Sequence, residues 1–71
     1  MQNHTFTLTE EYIELMSLLK YLGLAQTGGH AKMLVDEGLV VVNGVTESRR
    51  RYKVRRGDKI LVNGEVEIGI V

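Results

Sequence analysis

From Tyr12 onward, hydrophobic positions change their spacing once, at Gly38. Before it they recur every three or four residues; after it they form short β-branched clusters broken by Asn-Gly pairs. From Tyr12 onward, Leu15, Leu18, Leu19 and Leu22 fall on one helical face. Thr9 offers this helix an N-cap oxygen, Glu10 and Glu11 complement the positive end of its dipole, and Gly23 supplies a left-handed stop. A second helix follows a short turn, with Thr27 as N-cap, Ala31, Leu34 and Val35 as its apolar face and Gly38 at its end. The short connection predicts that the two helices pack against each other.

The remaining segments read as strands. "LVVV" runs into Asn43-Gly44, and "KILV" runs into Asn63-Gly64 ahead of "EVEIGIV". Asn-Gly between β-rich flanks predicts a hairpin, because both turn positions need positive φ. Gly57-Asp58 supplies a further turn, "RYKV" a weak strand, and "TFTL" alternates as a short first strand. No Pro, linker or low-complexity stretch divides the 71 residues, so residues 1–71 are read as one domain.

Composition narrows the class. Hydrophobic residues make up 44% of the chain, enough for one core, and there is no cysteine for a disulfide or a thiolate metal site. No apolar run approaches the roughly 18 residues of a membrane span. The segment "MQNHTFTLTEEY" lacks the basic and apolar regions of a signal peptide. A soluble protein in the cytoplasm, without a membrane partner, is the expectation.

Nine Lys and Arg balance nine Asp and Glu, a neutrality that argues against a strongly nucleic-acid-binding domain. The distribution argues the other way. Arg49, Arg50, Arg51, Lys53, Arg55, Arg56 and Lys59 lie within a few residues of one another, and only Lys20 and Lys32 lie elsewhere. A ligand responds to the local field within about a Debye length. A charge run is commonly a solvated loop or a guarded edge strand. Three consecutive arginines repel one another, however, Glu47 and Asp58 can neutralise part of the run, and the arginine fork suits phosphate. In an extended segment Arg49, Arg51, Lys53 and Arg55 share one face, with Tyr52 opposite, as a stacking platform or as packing.

Catalysis finds little support. His4 and His30 have no metal-ligand spacing, Glu10, Glu11 and Glu14 suit a solvated helix start, and Thr27-Gly28-Gly29 is a fragment of a phosphate loop without its full spacing. Neither an enzyme nor a cofactor is expected.

Leu22-Gly23-Leu24-Ala25, Thr27, Ala31-Lys32, Gly38 through Gly44 and Gly57-Asp58-Lys59-Ile60 follow one another in a specific order. From about Glu14 to Val62 this order resembles the S-four, or alpha-L, RNA-binding domain shared with the fourth small-subunit ribosomal protein, and especially its small stand-alone bacterial members. The resemblance implies an α+β fold, with two packed helices against a small, mostly antiparallel sheet. It implies structured RNA as ligand, ribosomal RNA first and transfer RNA second, on the ribosome or its precursor. Carried onto this chain, the family's binding surface falls on Thr27, His30 and Lys32 and on the loop with Arg49, Arg50, Arg51, Lys53 and Arg55. The family commonly has Arg-Leu-Asp at the first helix start, where this chain has Glu14-Leu15-Met16, and Arg after the Ser/Thr, where it has Gly28. Positive charge sparse on the helices is thus supplied by the loop. The alternative of a different class is a protein-interaction module whose basic loop docks on an acidic partner.

Overall fold

The computed structural model describes residues 2–71. Seven strands and two helices follow in the order β1 (Gln2–Phe6), β2 (Ile13–Glu14), α1 (Leu15–Tyr21), α2 (Gly28–Asp36), β3 (Val40–Val42), β4 (Val45–Thr46), β5 (Lys53–Val54), β6 (Lys59–Val62) and β7 (Val66–Ile70). The main sheet has the order β1-β7-β6-β3-β4, antiparallel except for the parallel pair β1–β7. β2 and β5 form a separate antiparallel ladder, with Ile13 opposite Val54 and Glu14 opposite Lys53.

The periodicities act as expected. Leu15, Leu18 and Leu19 of α1 and Ala31, Leu34 and Val35 of α2 are buried against Val40, Val42, Ile60, Val62, Ile68 and Ile70 from one face of the sheet. Alternation along β6 and β7 puts every second residue on this face, which fixes the register. Both helices end in the same way. Gly23 and Gly38 adopt φ of +76° and +74°. At each end the glycine N–H donates to the carbonyl three residues back, and the next residue's N–H to the carbonyl five back: Gly23 to Lys20, Leu24 to Leu19, Gly38 to Val35, Leu39 to Leu34. Asn43 and Gly44, at φ of 51° and 85°, close the two-residue β3–β4 hairpin. The second Asn-Gly pair closes β6–β7 with Glu65 as a third loop residue, whose N–H donates to the Val62 carbonyl.

The start of α1 departs from expectation. The helix begins at Leu15, not near Thr9, and its N-cap position, Glu14, caps with no side chain. Glu10 and Glu11 lie outside its first turn. The reason is a distant partner. Ile13 and Glu14 are held in a ladder by Val54 and Lys53, and the first helical amides find carbonyls on the segment before β5. Leu15 N–H donates to the Tyr52 carbonyl at 2.9 Å and Met16 N–H to the Arg50 carbonyl at 3.3 Å. The basic loop is thus the backbone cap of α1 and satisfies donors that a helix start otherwise leaves unpaired. Thr27 does cap α2 as its sequence predicts, its Oγ1 accepting from His30 N–H at 3.1 Å.

Candidate nucleic-acid interface

Residues Glu47 to Tyr52 leave β4, cross in front of α1 and enter β5. The shape of this loop is set by Glu47, which is 9% exposed and the one buried charged side chain among the described residues. Its carboxylate accepts from Arg49 N–H and Nε, both at 2.9 Å, and from Nη2 at 3.0 Å. Hydrogen bonds from the Arg49 side chain hold the Glu47 carboxyl below the ordinary carboxylate range. Burial opposes them, and the backbone N–H groups of Arg49 and Ser48 reinforce them. Glu47 raises the Arg49 pKa in turn, chiefly through the same side-chain hydrogen bonds.

The other two arginines of the triplet are also paired, with acids far away in sequence. Arg50 grips Asp36 of α2 fork to fork, at 3.0 and 2.9 Å. This hydrogen bonding lowers the Asp36 pKa and raises that of Arg50. Arg51 Nε donates to Glu14 of β2 at 2.9 Å. The sequence points to Glu47 and Asp58 as partial counter-charges for the run. Glu47 has that role, but Asp58 pairs with no arginine side chain. It accepts instead from Arg55 N–H at 2.9 Å, from Tyr52 Oη at 3.2 Å and from Asn43 Nδ2 at 3.0 Å, and so shapes the turn before β6. Burial, then the neighbouring Asp58 charge and hydrogen bond, raise the Tyr52 pKa, so the phenol stays a donor.

Arg49, Arg51, Tyr52, Lys53 and Arg55 line one open concavity of about 360 Å³. The alternation argument therefore groups the four cations correctly, although only Lys53 and Val54 of this stretch are strand. It misplaces Tyr52. A turn at Arg50–Arg51 breaks the alternation, and the half-buried phenol ring joins the same concavity, with Arg49 Cζ 5.1 Å from its centroid. Lys53 Nζ stands 5.1 Å from the Tyr12 ring centroid, and neither Lys53 nor Arg55 has an acidic partner among the described residues. Arg56, in the same run, serves the fold: its Nη2 donates to the Leu8 carbonyl at 2.6 Å.

The α2 candidates divide. Lys32 is exposed and stands one helical turn before Asp36, the residue that holds Arg50, so it adjoins the loop. Thr27 and His30 lie toward the opposite end of the nine-residue helix, where Thr27 is exposed and its Oγ1 is engaged in the cap. His30 is half-buried, its Nδ1 accepting from Gln26 N–H at 3.4 Å. The loop docks on α2 through Asp36 at the helix end, about two turns from this start. Sequence reading missed Glu14 and Asp36 as arginine partners and Tyr12 as a neighbour of Lys53. Tyr12 and Glu14 sit on the same side of an extended segment, and the facing strand carries Lys53, but that pairing cannot be read from either strand alone. No cluster of three His, Cys, Asp or Glu placed to hold a metal occurs among the described residues.

Comparison with known proteins agrees with this architecture. YbcJ of Escherichia coli strain K12 is 38% identical over 61 residues, spanning 84% of this chain and 87% of YbcJ. The solution structure of E. coli YbcJ, whose alpha-L motif is described as involved in RNA-binding, matches with a TM-score of 0.67 and 36% identity. That match covers 92% of this chain and 85% of YbcJ. The 30S ribosomal protein S4e of Thermoplasma acidophilum matches with a TM-score of 0.67 and 31% identity over 80% of this chain and 30% of its own. A family model described as the S4 domain covers residues 6–70. Two helices packed on a mostly antiparallel sheet, the order of turns and caps, and this match over nearly the whole length establish that the chain belongs to the S4 domain family.

Proposed function

We propose that this protein is an RNA-binding module, not an enzyme, that takes structured RNA, with ribosomal RNA as the first candidate, and acts in ribosome assembly or translation in the cytoplasm. The observation that carries this reading is the convergence of Arg49, Arg51, Lys53 and Arg55 on one open concavity, with Lys32 adjoining through the Asp36–Arg50 pair. Arginine forks and an ammonium fit phosphate oxygens, and an open surface fits the outside of a helix. RNA helices hide their major groove, so recognition rests on shape, phosphates and 2′-hydroxyls. One half-buried tyrosine is no ladder on which successive single-stranded bases stack, which favours folded RNA. The RNA-binding described for YbcJ and the ribosomal place of S4e support the same assignment.

The test is a fluorescence-anisotropy titration with a hairpin-containing ribosomal RNA fragment against a poly-pyrimidine strand. Contact with about three to five phosphates gives a slope of log K on log salt of roughly −3 to −4. The hairpin is expected to bind more tightly. A slope near zero rejects the mechanism, and equal affinity rejects the preference for structure. Association in a cell extract that survives nuclease treatment replaces RNA with an acidic protein partner.

A further inference from the structure

The three arginine–carboxylate pairs are built differently, and the difference bears on how the RNA-binding site proposed above is engaged. Glu47 is buried and binds the loop backbone as well as the Arg49 side chain, so it is part of the loop's framework. Asp36 and Glu14 touch their arginines through side chains alone. Their side chains are 39% and 33% exposed, and those of the arginines they hold 46% and 82% exposed. Exposed pairs of this kind are individually weak. Each carboxylate also occupies a place a phosphate takes on the planar guanidinium, Asp36 both arms of the Arg50 fork and Glu14 the Nε–H of Arg51.

We propose that Asp36 and Glu14 are exchangeable place-holders: an incoming phosphate displaces them from Arg50 and Arg51, while Glu47 keeps Arg49 and the loop in position. The triplet is then charge-compensated in the free protein and exposes its positive charge where phosphate is available to replace the acids. Arg50 reaches toward α2 and Arg51 toward β2, so the two exchanges occur on different sides of the loop. A ligand presenting phosphates at that separation completes both exchanges; a lone phosphate completes one. The loop thereby selects polyanions of fixed shape, a property that rests on the RNA reading.

The exchange has a signature in salt dependence. Moving an arginine from a carboxylate to a phosphate frees one counterion from the RNA and leaves one carboxylate to recruit another, so such a contact adds little to the slope. With the acid neutralised, the same contact adds its full increment of roughly 0.9. The experiment compares Glu14→Gln, Asp36→Asn and Glu47→Gln with wild type, using the hairpin-containing ribosomal RNA fragment between 50 and 200 mM salt (a range of about fourfold, over which such slopes are resolved). Glu14→Gln and Asp36→Asn are each expected to raise affinity about three- to fivefold at the low-salt end and to steepen the slope by about one unit. Glu47→Gln is expected to weaken binding. Weaker binding or an unchanged slope in the first two variants, with an intact circular dichroism spectrum, overturns the proposal and makes the acids positioning residues or bystanders. A second readout needs no RNA: tripolyphosphate added to the wild-type protein is expected to shift the Nε–H resonances of Arg50 and Arg51 and to leave that of Arg49 in place. If wild type binds no RNA but shows these shifts, the exchange stands and the RNA assignment falls. If tripolyphosphate moves neither resonance, the exchange is refuted whatever the RNA titration shows.

Discussion

Arg49–Arg51 and Lys53–Arg56 each carry three cations, separated by one tyrosine, yet the two halves of the run are held in opposite ways. Every arginine of the first half meets a carboxylate, from the segment after β4, from α2 and from β2, and the Arg50 carbonyl together with that of Tyr52 caps α1. In the second half, Lys53 lies over the Tyr12 ring, Arg56 reaches a carbonyl, and Arg55 has no side-chain partner among the described residues. Equal charge in sequence is therefore unequal charge in space. The first half is a joint between three elements that also faces the concavity; the second half supplies most of the uncompensated field. A loop can serve as both tie and ligand surface when its backbone does the tying and its side chains stay near the surface.

The sharpest way to break the comparison is to remove the framework of the first half. Glu47→Gln deletes the charge that holds Arg49 and leaves an amide donor facing guanidinium donors. A loss of about 1–3 kcal/mol is expected, since a buried hydrogen-bonded group loses its partner. For a domain of this size that corresponds to roughly 4–24 °C in Tm, readable by thermal unfolding. Acid should reproduce the loss without mutation. The folded-state pKa of Glu47 lies below its unfolded value of about 4.5, so its contribution is complete well above that pH and disappears as the pH falls through the lower folded value. Wild type should therefore lose stability faster than Glu47→Gln in an acid titration followed by urea unfolding. Parallel curves would show that Glu47 does not hold the loop.

The second half should respond in the opposite manner. Lys53→Gln with Arg55→Gln removes two cations that have no acidic partners, so stability should change by no more than about 1 kcal/mol, most of it the lost Lys53–Tyr12 contact. RNA affinity should fall about tenfold or more at low salt, and the slope should flatten by roughly two units. If this variant binds RNA like wild type, the concavity is not the contact surface.

Arg50→Gln lies between these extremes. Its carbonyl still caps Met16, because the substitution spares the backbone. The lost pair with Asp36 is exposed on both sides and individually weak. Urea unfolding should show that small deficit at low ionic strength and none at about 1 M salt, where the Debye length is near 3 Å. A deficit that persists in high salt would mean that Arg50 packs rather than pairs.

Local signals were legible in the sequence, and long-range ones were not. Thr27, Gly23, Gly38 and Asn43-Gly44 each act on residues within one turn or hairpin, and each does what its chemistry predicts. The start of α1 is decided by carbonyls more than 30 residues away, and a local cap signal at Thr9 could not compete with that ladder. The parallel alignment of β1 with β7 joins the two ends of the chain and leaves no mark on either strand. At the site, alternation grouped Arg49, Arg51, Lys53 and Arg55, because a short turn displaced one side chain without rotating the rest. The acids Glu14 and Asp36 read as surface charges of their own segments, since a pairing across 37 or 14 positions has no periodicity.

The smallest expected effect tests whether the α2 face belongs to the interface at all. Lys32 is exposed, one turn from Asp36, and its charge contributes to lowering the Asp36 pKa. Lys32→Gln touches no buried residue, so stability should stay within about 0.5 kcal/mol. If Lys32 meets one phosphate, RNA affinity should fall a few-fold and the slope should flatten by no more than about one unit. Lys20, in the last turn of α1, is the matched control: Lys20→Gln removes the same charge from a helix that lines no part of the concavity. A charge at the far end of α1 from the loop acts through the field that salt screens rather than through a direct contact. Lys20→Gln should therefore leave both affinity and slope nearly unchanged at about 0.1 M salt. Equal losses from the two variants would mean that net charge alone draws the RNA in. A loss confined to Lys32→Gln extends the contact surface from the loop onto α2.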